Sequence, residues 1–200
     1  MDRWEYLQPW DEQIHAALTA GDLPRAWQSL ILGYQHVVVG YCVTLLGNQQ
    51  DGEDVAHDVF VDAYAALSRF QQRASLRTWV FAIARKKCLK HGRGRLRLAR
   101  LSSRQRELLL TEAHLTPSDS PELERLAVEN TGAQARTLEQ LSMHLKRLTR
   151  RERDVLLMYH LEELSYRNIA QRLWVSETTA RRRVQAATAR LKQLLHHEGE

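Results

Sequence analysis

TRRERDVLLMYHLEELSYRNIAQRLWVSETTARRRVQAATARLKQLL, residues 149–195, reads as three helices joined by tight connections. Thr149-Arg150-Arg151-Glu152 has the form of a capping box, in which the Thr hydroxyl and the Glu carboxylate satisfy amides left free at a helix start. Val155, Leu156, Met158 and Tyr159 supply that helix's apolar side. Ser165 caps a short helix from Tyr166 to Leu173, and Ser176 caps a long one running through Leu195. This is a helix-turn-helix pattern. Ile169, Ala170 and Leu173 pack the first helix of the pair, and Val175, Ala180, Val184 and Ala187 pack the second. Ser176, Glu177, Thr178, Thr179, Arg181, Arg182, Arg183 and Gln185 are left outside, where a recognition helix meets base edges and phosphates. The plain alternative is an amphipathic helix with a solvated basic face.

Working outward, the rest of the chain is also helical in composition. Glycine and proline are scarce, and Ala, Leu, Arg, Glu and Gln are abundant. The expected fold is all-α, with two small helical domains joined by an acidic linker. At 200 residues and 44% hydrophobic, the chain can bury one or two modest cores.

Ile14, Ala17 and Leu18 mark a first helix, broken at Ala20-Gly21-Asp22, and Pro24 sits well at the start of the next. The second helix runs to Gly47-Asn48, with Gly33 and Gly40 as expected break points. Its most apolar stretch, Val37 to Leu46, is shorter than the roughly 20 residues of a membrane span. The start, MDRWEYLQPWDE, is unlike a secretory signal, so a cytoplasmic protein with reduced Cys42 and Cys88 is expected.

A third helix places Val55, Val59, Phe60, Ala63, Tyr64 and Leu67 on one side and Asp54, Asp58 and Asp62 at i, i+4 positions on the other. Ser75 caps a fourth, with Leu76, Trp79, Val80, Ile83 and Cys88 inward and basic residues outward.

Charge divides this part sharply. Asp51, Glu53, Asp54, Asp58 and Asp62 stand together without Lys or Arg, whereas Arg69 to Arg106 contains no Asp or Glu. The net charge of +5 therefore conceals two surfaces, which suggests one basic and one polyanionic partner. Past Arg106 the chain turns acidic, and Thr116-Pro117-Ser118-Asp119-Ser120-Pro121 reads as an extended connector with a short helix from Glu122 to Val128. At about 3.3 Å per residue it reaches on the order of 100 Å, more than the roughly 70 Å of two DNA turns.

The chain resembles bacterial RNA polymerase sigma factors of the extracytoplasmic-function (ECF) group, in the sigma-70 family. AGDLPRAWQSLILGY (20–34) looks like that family's first conserved segment, and DGEDVAHDVFVDAYAALSRF (51–70) like its core-binding helix. SLRTWVFAIARKKCLKHGRGR (75–95) is similar to its promoter-melting helices, and residues 148–195 to its minus-thirty-five-reading domain.

The resemblance implies a division into residues 1–106 for polymerase binding and minus-ten melting, a linker over 107–138, and a minus-thirty-five reader over 139–200. It implies that Asp51, Glu53, Asp54 and Asp58 meet the β′ clamp helices of core RNA polymerase, whose β subunit is also a partner. Phe70, Gln71, Gln72, Arg73 and Ser75 would contact flipped minus-ten bases, and Arg77, Arg85, Lys86, Lys87 and Lys90 phosphates. Trp79 is read as core rather than as a stacking platform. Promoter DNA and an anti-sigma factor complete the implied partners.

No catalytic residue, cofactor or metal is expected, and His196-His197 lacks a third fixed ligand. Two other functions stay open at this point. One is a stand-alone helix-turn-helix repressor or activator. The other is a metal-dependent nuclease using Asp54, Asp58 and Asp62, which lack carboxylate partners on a second helix.

Two positions depart from the family pattern. Trp174 stands where glycine is usual in the helix-turn-helix turn. If the backbone there is left-handed, a bulky residue costs on the order of 1 to 3 kcal/mol unless packing returns it. Gln71-Gln72-Arg73-Ala74 likewise lacks the glycine often found before the serine.

Overall fold

A computed structural model of the chain describes residues 7–99, 144–145 and 147–196. The expected connector over 107–138, its short helix and His197 lie outside these residues. Among the described residues the regular structure is helical: α1 (Gln8–Thr19), α2 (Leu23–Leu46), α3 (Gln49–Leu67), α4 (Leu76–Ala99), α5 (Arg150–Leu156), a π-turn (Leu157–Leu161), α6 (Tyr166–Leu173) and α7 (Glu177–His196).

The local signals act as their chemistry requires. Asp22 caps α2 by accepting from the Arg25 amide, with Pro24 in the first turn. Gly47 ends it at φ 78°, a left-handed conformation that glycine adopts without Cβ strain. Asn48 then caps α3 through the Gln50 amide.

The expected break in α2 does not occur. Gly40 stays helical, and Gly33 is the point where α1 comes close: a Cβ there would lie 2.6 Å from Trp10 Cγ. Unbroken, α2 is long and apolar enough to cross a membrane by length and composition. Its apolar side chains, among them Leu30, Ile31, Tyr34, Val38 and Cys42, are nevertheless buried among the neighbouring helices. Gly52 permits the tightest crossing, since a Cβ on it would stand 2.4 Å from Val43 Cγ2 and 2.7 Å from the Val43 backbone. Cys42 and Cys88 are buried free thiols, and a hydrogen bond with Cys88 and burial push the Cys42 thiol far up.

Two apolar cores result. The first gathers Ile14, Leu30, Tyr34, Val59, Phe60, Leu76, Val80 and Phe81 from α1 to α4. The second gathers Val155, Met158, Ile169, Ala180, Val184 and Ala187 from α5 to α7. Tyr64, expected inside, is half exposed, its ring centre 5.0 Å from that of Trp27 in an edge-on contact.

The π-turn joins the two cores. A π-turn inserts an extra residue into a helical turn and so changes which faces successive side chains present. Leu157 is buried in the first core while Met158 is buried in the second, and Leu161 also packs on the first.

Candidate functional site

The helix-turn-helix forms as its caps dictate. Thr149 and Glu152 complete both halves of the capping box. Those bonds, first from the Thr149 amide and then from its hydroxyl, hold the Glu152 carboxyl below its ordinary range. Ser165 accepts from the Asn168 amide and Ser176 from the Thr179 amide.

The α6–α7 turn is left-handed at Trp174, with φ 54° and ψ 49°. The Val175 amide reaches back to the Ala170 carbonyl at 3.1 Å, as in a helix end normally closed by glycine. Trp174 is 94% exposed, so packing within the chain does not offset this conformation.

On α7 the structure brings the expected residues onto one open face. Ser176, Glu177, Thr178, Arg181, Arg182, Arg183 and Gln185 are exposed, Thr179 is half-buried, and Ala180, Val184 and Ala187 are inside. The Arg181 guanidinium lies 5.2 Å from the centre of the Tyr166 ring, which itself stacks on Tyr159. That contact pre-orients one arginine at a modest gain, and Tyr166 carried no signal in the sequence that marked it.

On α3, Glu53, Asp54, Asp58 and Asp62 are exposed and Asp51 is partly covered. The two charge surfaces are not independent. Lys87 on α4 reaches Asp62 at 2.9 Å and Asp58 at 3.9 Å, and His91 Nε2 lies 3.4 Å from Asp51. Neighbouring helices therefore already relieve part of the repulsion between i, i+4 carboxylates, and Lys87 is engaged by protein rather than standing open. Among the described residues no cluster of His, Cys, Asp or Glu could hold a metal ion, so the nuclease reading finds no site.

The loop before α4 places Gln71, Gln72, Arg73 and Ser75 in the open. Gln72 adopts φ 54°, taking the left-handed step where glycine was missed. Phe70 is half-buried, its ring 5.0 Å from Trp79 and 6.1 Å from His15, and both Phe70 and Trp79 pack against the first core. Lys86 and Lys90 are exposed on α4.

Three of the expected DNA contacts are engaged within the chain instead. Ser75 Oγ donates to Glu163 Oε2 at 2.7 Å, Arg77 pairs with Glu163, and Arg85 Nη1 donates to Glu162 Oε1 at 2.8 Å. Arg85 is 9% exposed. Burial pushes its guanidinium pKa down, but the charges of Glu162 and Asp154 outweigh burial and hold it above the usual value. Tyr41 donates to the same Glu162 oxygen at 3.0 Å, and burial together with that carboxylate pushes its hydroxyl well up.

A helical body with exposed carboxylates along α3 is thus joined to a helix-turn-helix whose last helix presents an open polar and basic face. Residues 30–97 match the model of sigma-70 region 2, and residues 138–191 that of sigma-70 region 4. RNA polymerase sigma-H factor of Pseudomonas aeruginosa is 30% identical over 180 residues, covering 88% of this chain and 89% of that protein. The probable RNA polymerase sigma factor RfaY of Xanthomonas campestris is 27% identical over 190 residues, which is 92% of this chain and 44% of RfaY. In fold, the sigma factor RpoE of Bartonella quintana, solved with the anti-sigma factor NepR, superposes with a TM-score of 0.50 at 21% identity, covering 84% of this chain and 95% of RpoE.

The chain belongs to the sigma-70 family of RNA polymerase sigma factors, in its ECF group. It directs transcription initiation from promoters with core RNA polymerase, and members of this family are in general initiation factors rather than enzymes.

Proposed function

We propose the following division of labour within that activity. Residues 1–106 bind core polymerase and open the minus-ten element, residues 107–138 tether, and residues 139–200 read the minus-thirty-five element. Asp51, Glu53, Asp54 and Asp58 dock on a basic face of the polymerase, the β′ clamp helices. Gln71, Gln72, Arg73 and Ser75, with the open edge of Phe70, receive unpaired minus-ten bases, and Arg77, Arg85, Lys86, Lys87 and Lys90 neutralise the strand's phosphates. Ser176, Glu177, Thr178, Thr179, Arg181, Arg182, Arg183 and Gln185 enter the minus-thirty-five major groove. The chain holds no catalytic group of its own: polymerase carries out the chemistry, in the cytoplasm. An anti-sigma factor is a further partner, and the exposed Val61, Tyr64 and Leu89 offer apolar contacts for a protein of that kind.

The observation that carries this reading is the exposed polar and basic row from Ser176 to Gln185 on a helix whose opposite side is closed by Ala180, Val184 and Ala187. Such a helix presents donors and acceptors to base edges from its N-terminal half, while arginines engage phosphates. The test is in vitro transcription on a genomic promoter library with core polymerase added. Start sites that require this chain are expected. No new start site, or tight sequence-specific duplex binding by the chain without polymerase, would refute the division.

A further inference from the structure

Glu162 and Glu163 follow the π-turn and face the first helical body. Glu162 is 2% exposed, yet both of its carboxylate oxygens are engaged. Oε1 accepts from Tyr41 at 3.0 Å and Arg85 at 2.8 Å, and Oε2 accepts from Arg172 at 2.8 Å. Asp154 adds a second carboxylate 3.5 Å from Arg85. Glu163 stands in the left-handed region at φ 53°, a conformation that costs a non-glycine residue energy. Held there, its carboxylate meets Ser75, Thr78 and Arg77 together. Backbone groups close the contact on either side: Thr78 Oγ1 donates to the Glu162 carbonyl at 3.3 Å, and Arg153 Nη1 donates to the Thr44 carbonyl at 3.3 Å. Leu157 and Leu161 supply the apolar part.

We propose that Glu162 and Glu163 form an intramolecular acidic latch, in which two carboxylates of the helix-turn-helix domain occupy the donors that the opened strand takes, its bases on Ser75 and its phosphates on Arg77 and Arg85. The latch rests on the reading of those three residues as strand contacts. Carboxylates and phosphates compete for the same donors, because both present paired anionic oxygens to guanidinium and hydroxyl groups. A chain with Glu162 seated on Arg85 cannot also place a phosphate there. Opening the promoter therefore requires the two domains to part, and polymerase binding favours that state by engaging them at separate places. The cost of leaving Arg85 buried without a partner makes the closed state cooperative: either both carboxylates stay or the whole contact opens.

The test uses the full chain in three forms: unaltered, Glu162→Gln with Glu163→Gln, and Tyr41→Phe. Small-angle X-ray scattering measures compactness, and fluorescence anisotropy measures affinity for a labelled single-stranded DNA of minus-ten length. If a closed state dominates, the binding-competent fraction is a few per cent, so the double variant gains roughly tenfold or more in affinity and a larger radius of gyration. Tyr41→Phe changes no charge, so a smaller gain in the same direction cannot come from reduced repulsion of DNA. It also serves should the double variant fold poorly. A double variant as compact as the unaltered chain with unchanged affinity overturns the latch, as does an unchanged Tyr41→Phe where the double variant does not fold. Added core polymerase separates the two readings. If unaltered and latch-free chains both fail to initiate, the assignment of the strand contacts falls, whereas scattering alone still decides whether Glu162 and Glu163 hold the domains together.

Discussion

Replacing Trp174 with glycine should stabilise the helix-turn-helix domain, although it removes the largest side chain of the turn. The left-handed conformation at φ 54° costs an L-residue about 1 to 2 kcal/mol relative to glycine. Glycine returns about 0.4 to 1 kcal/mol of that through its freer unfolded chain. A side chain that is 94% exposed has almost no packing to lose. The net expectation is about 0.5 to 1 kcal/mol of added stability, or roughly 3 to 6 °C in the melting of a domain this small. Trp174→Ala keeps the Cβ and with it the strain, so its expected change is close to zero. Calorimetry of the full chain is the suitable assay. Tryptophan emission is not, because Trp4, Trp10, Trp27 and Trp79 all belong to the first half of the chain and Trp174 alone reports on the second. A glycine variant no more stable than the unaltered chain, or an alanine variant that gains as much as glycine, would refute the strain argument.

Gly52→Ala should act in the opposite sense. Its Cβ would meet the Val43 backbone at 2.7 Å, which rotamer changes cannot relieve, so α2 and α3 must separate. A loss of about 1 to 3 kcal/mol in urea unfolding is expected, with weaker polymerase association because the carboxylates of α3 move with the helix. Thr149→Ala should cost about 1 kcal/mol by removing the capping box. Because the folded Glu152 carboxyl is held below its unfolded value, its contribution is present above the unfolded pKa and is lost as pH falls through the folded one. The unaltered chain should thus lose stability between mildly acidic pH and the lowered Glu152 value, and the Thr149→Ala chain should lose less over that window, as read by calorimetry across an acid series.

Much of the fold was legible because its signals are local. Capping by Ser75, Thr149, Ser165 and Ser176 depends on residues three apart, and the apolar faces of α3 and α7 follow the helical period. Gly33 and Gly40 misled for the same reason. Helix propensity favours a break at glycine, but Gly33 is where Trp10 needs room, and burial of α2 on its neighbours outweighs the propensity cost. The exposed row of α7 was legible, and so was the carboxylate row of α3. The partial neutralisation of the latter by Lys87 was not, because it depends on how α3 and α4 cross.

By itself the sequence determined most of the helices, the caps at Ser75, Thr149, Ser165 and Ser176, the two cores, the exposed polar face of α7 and the family. Periodicity and capping operate over one or two turns, and motif order is written along the chain. Only the tertiary structure decided that Trp174 is strained without compensation, that Phe70 leans on Trp79, and that Arg85, read as a phosphate contact, is buried against Glu162. Glu162 lies 77 residues from Arg85 and 121 from Tyr41. Nothing periodic relates such positions: they meet because the π-turn aims Leu157 and Leu161 into the first core and carries the carboxylates that follow onto its basic face.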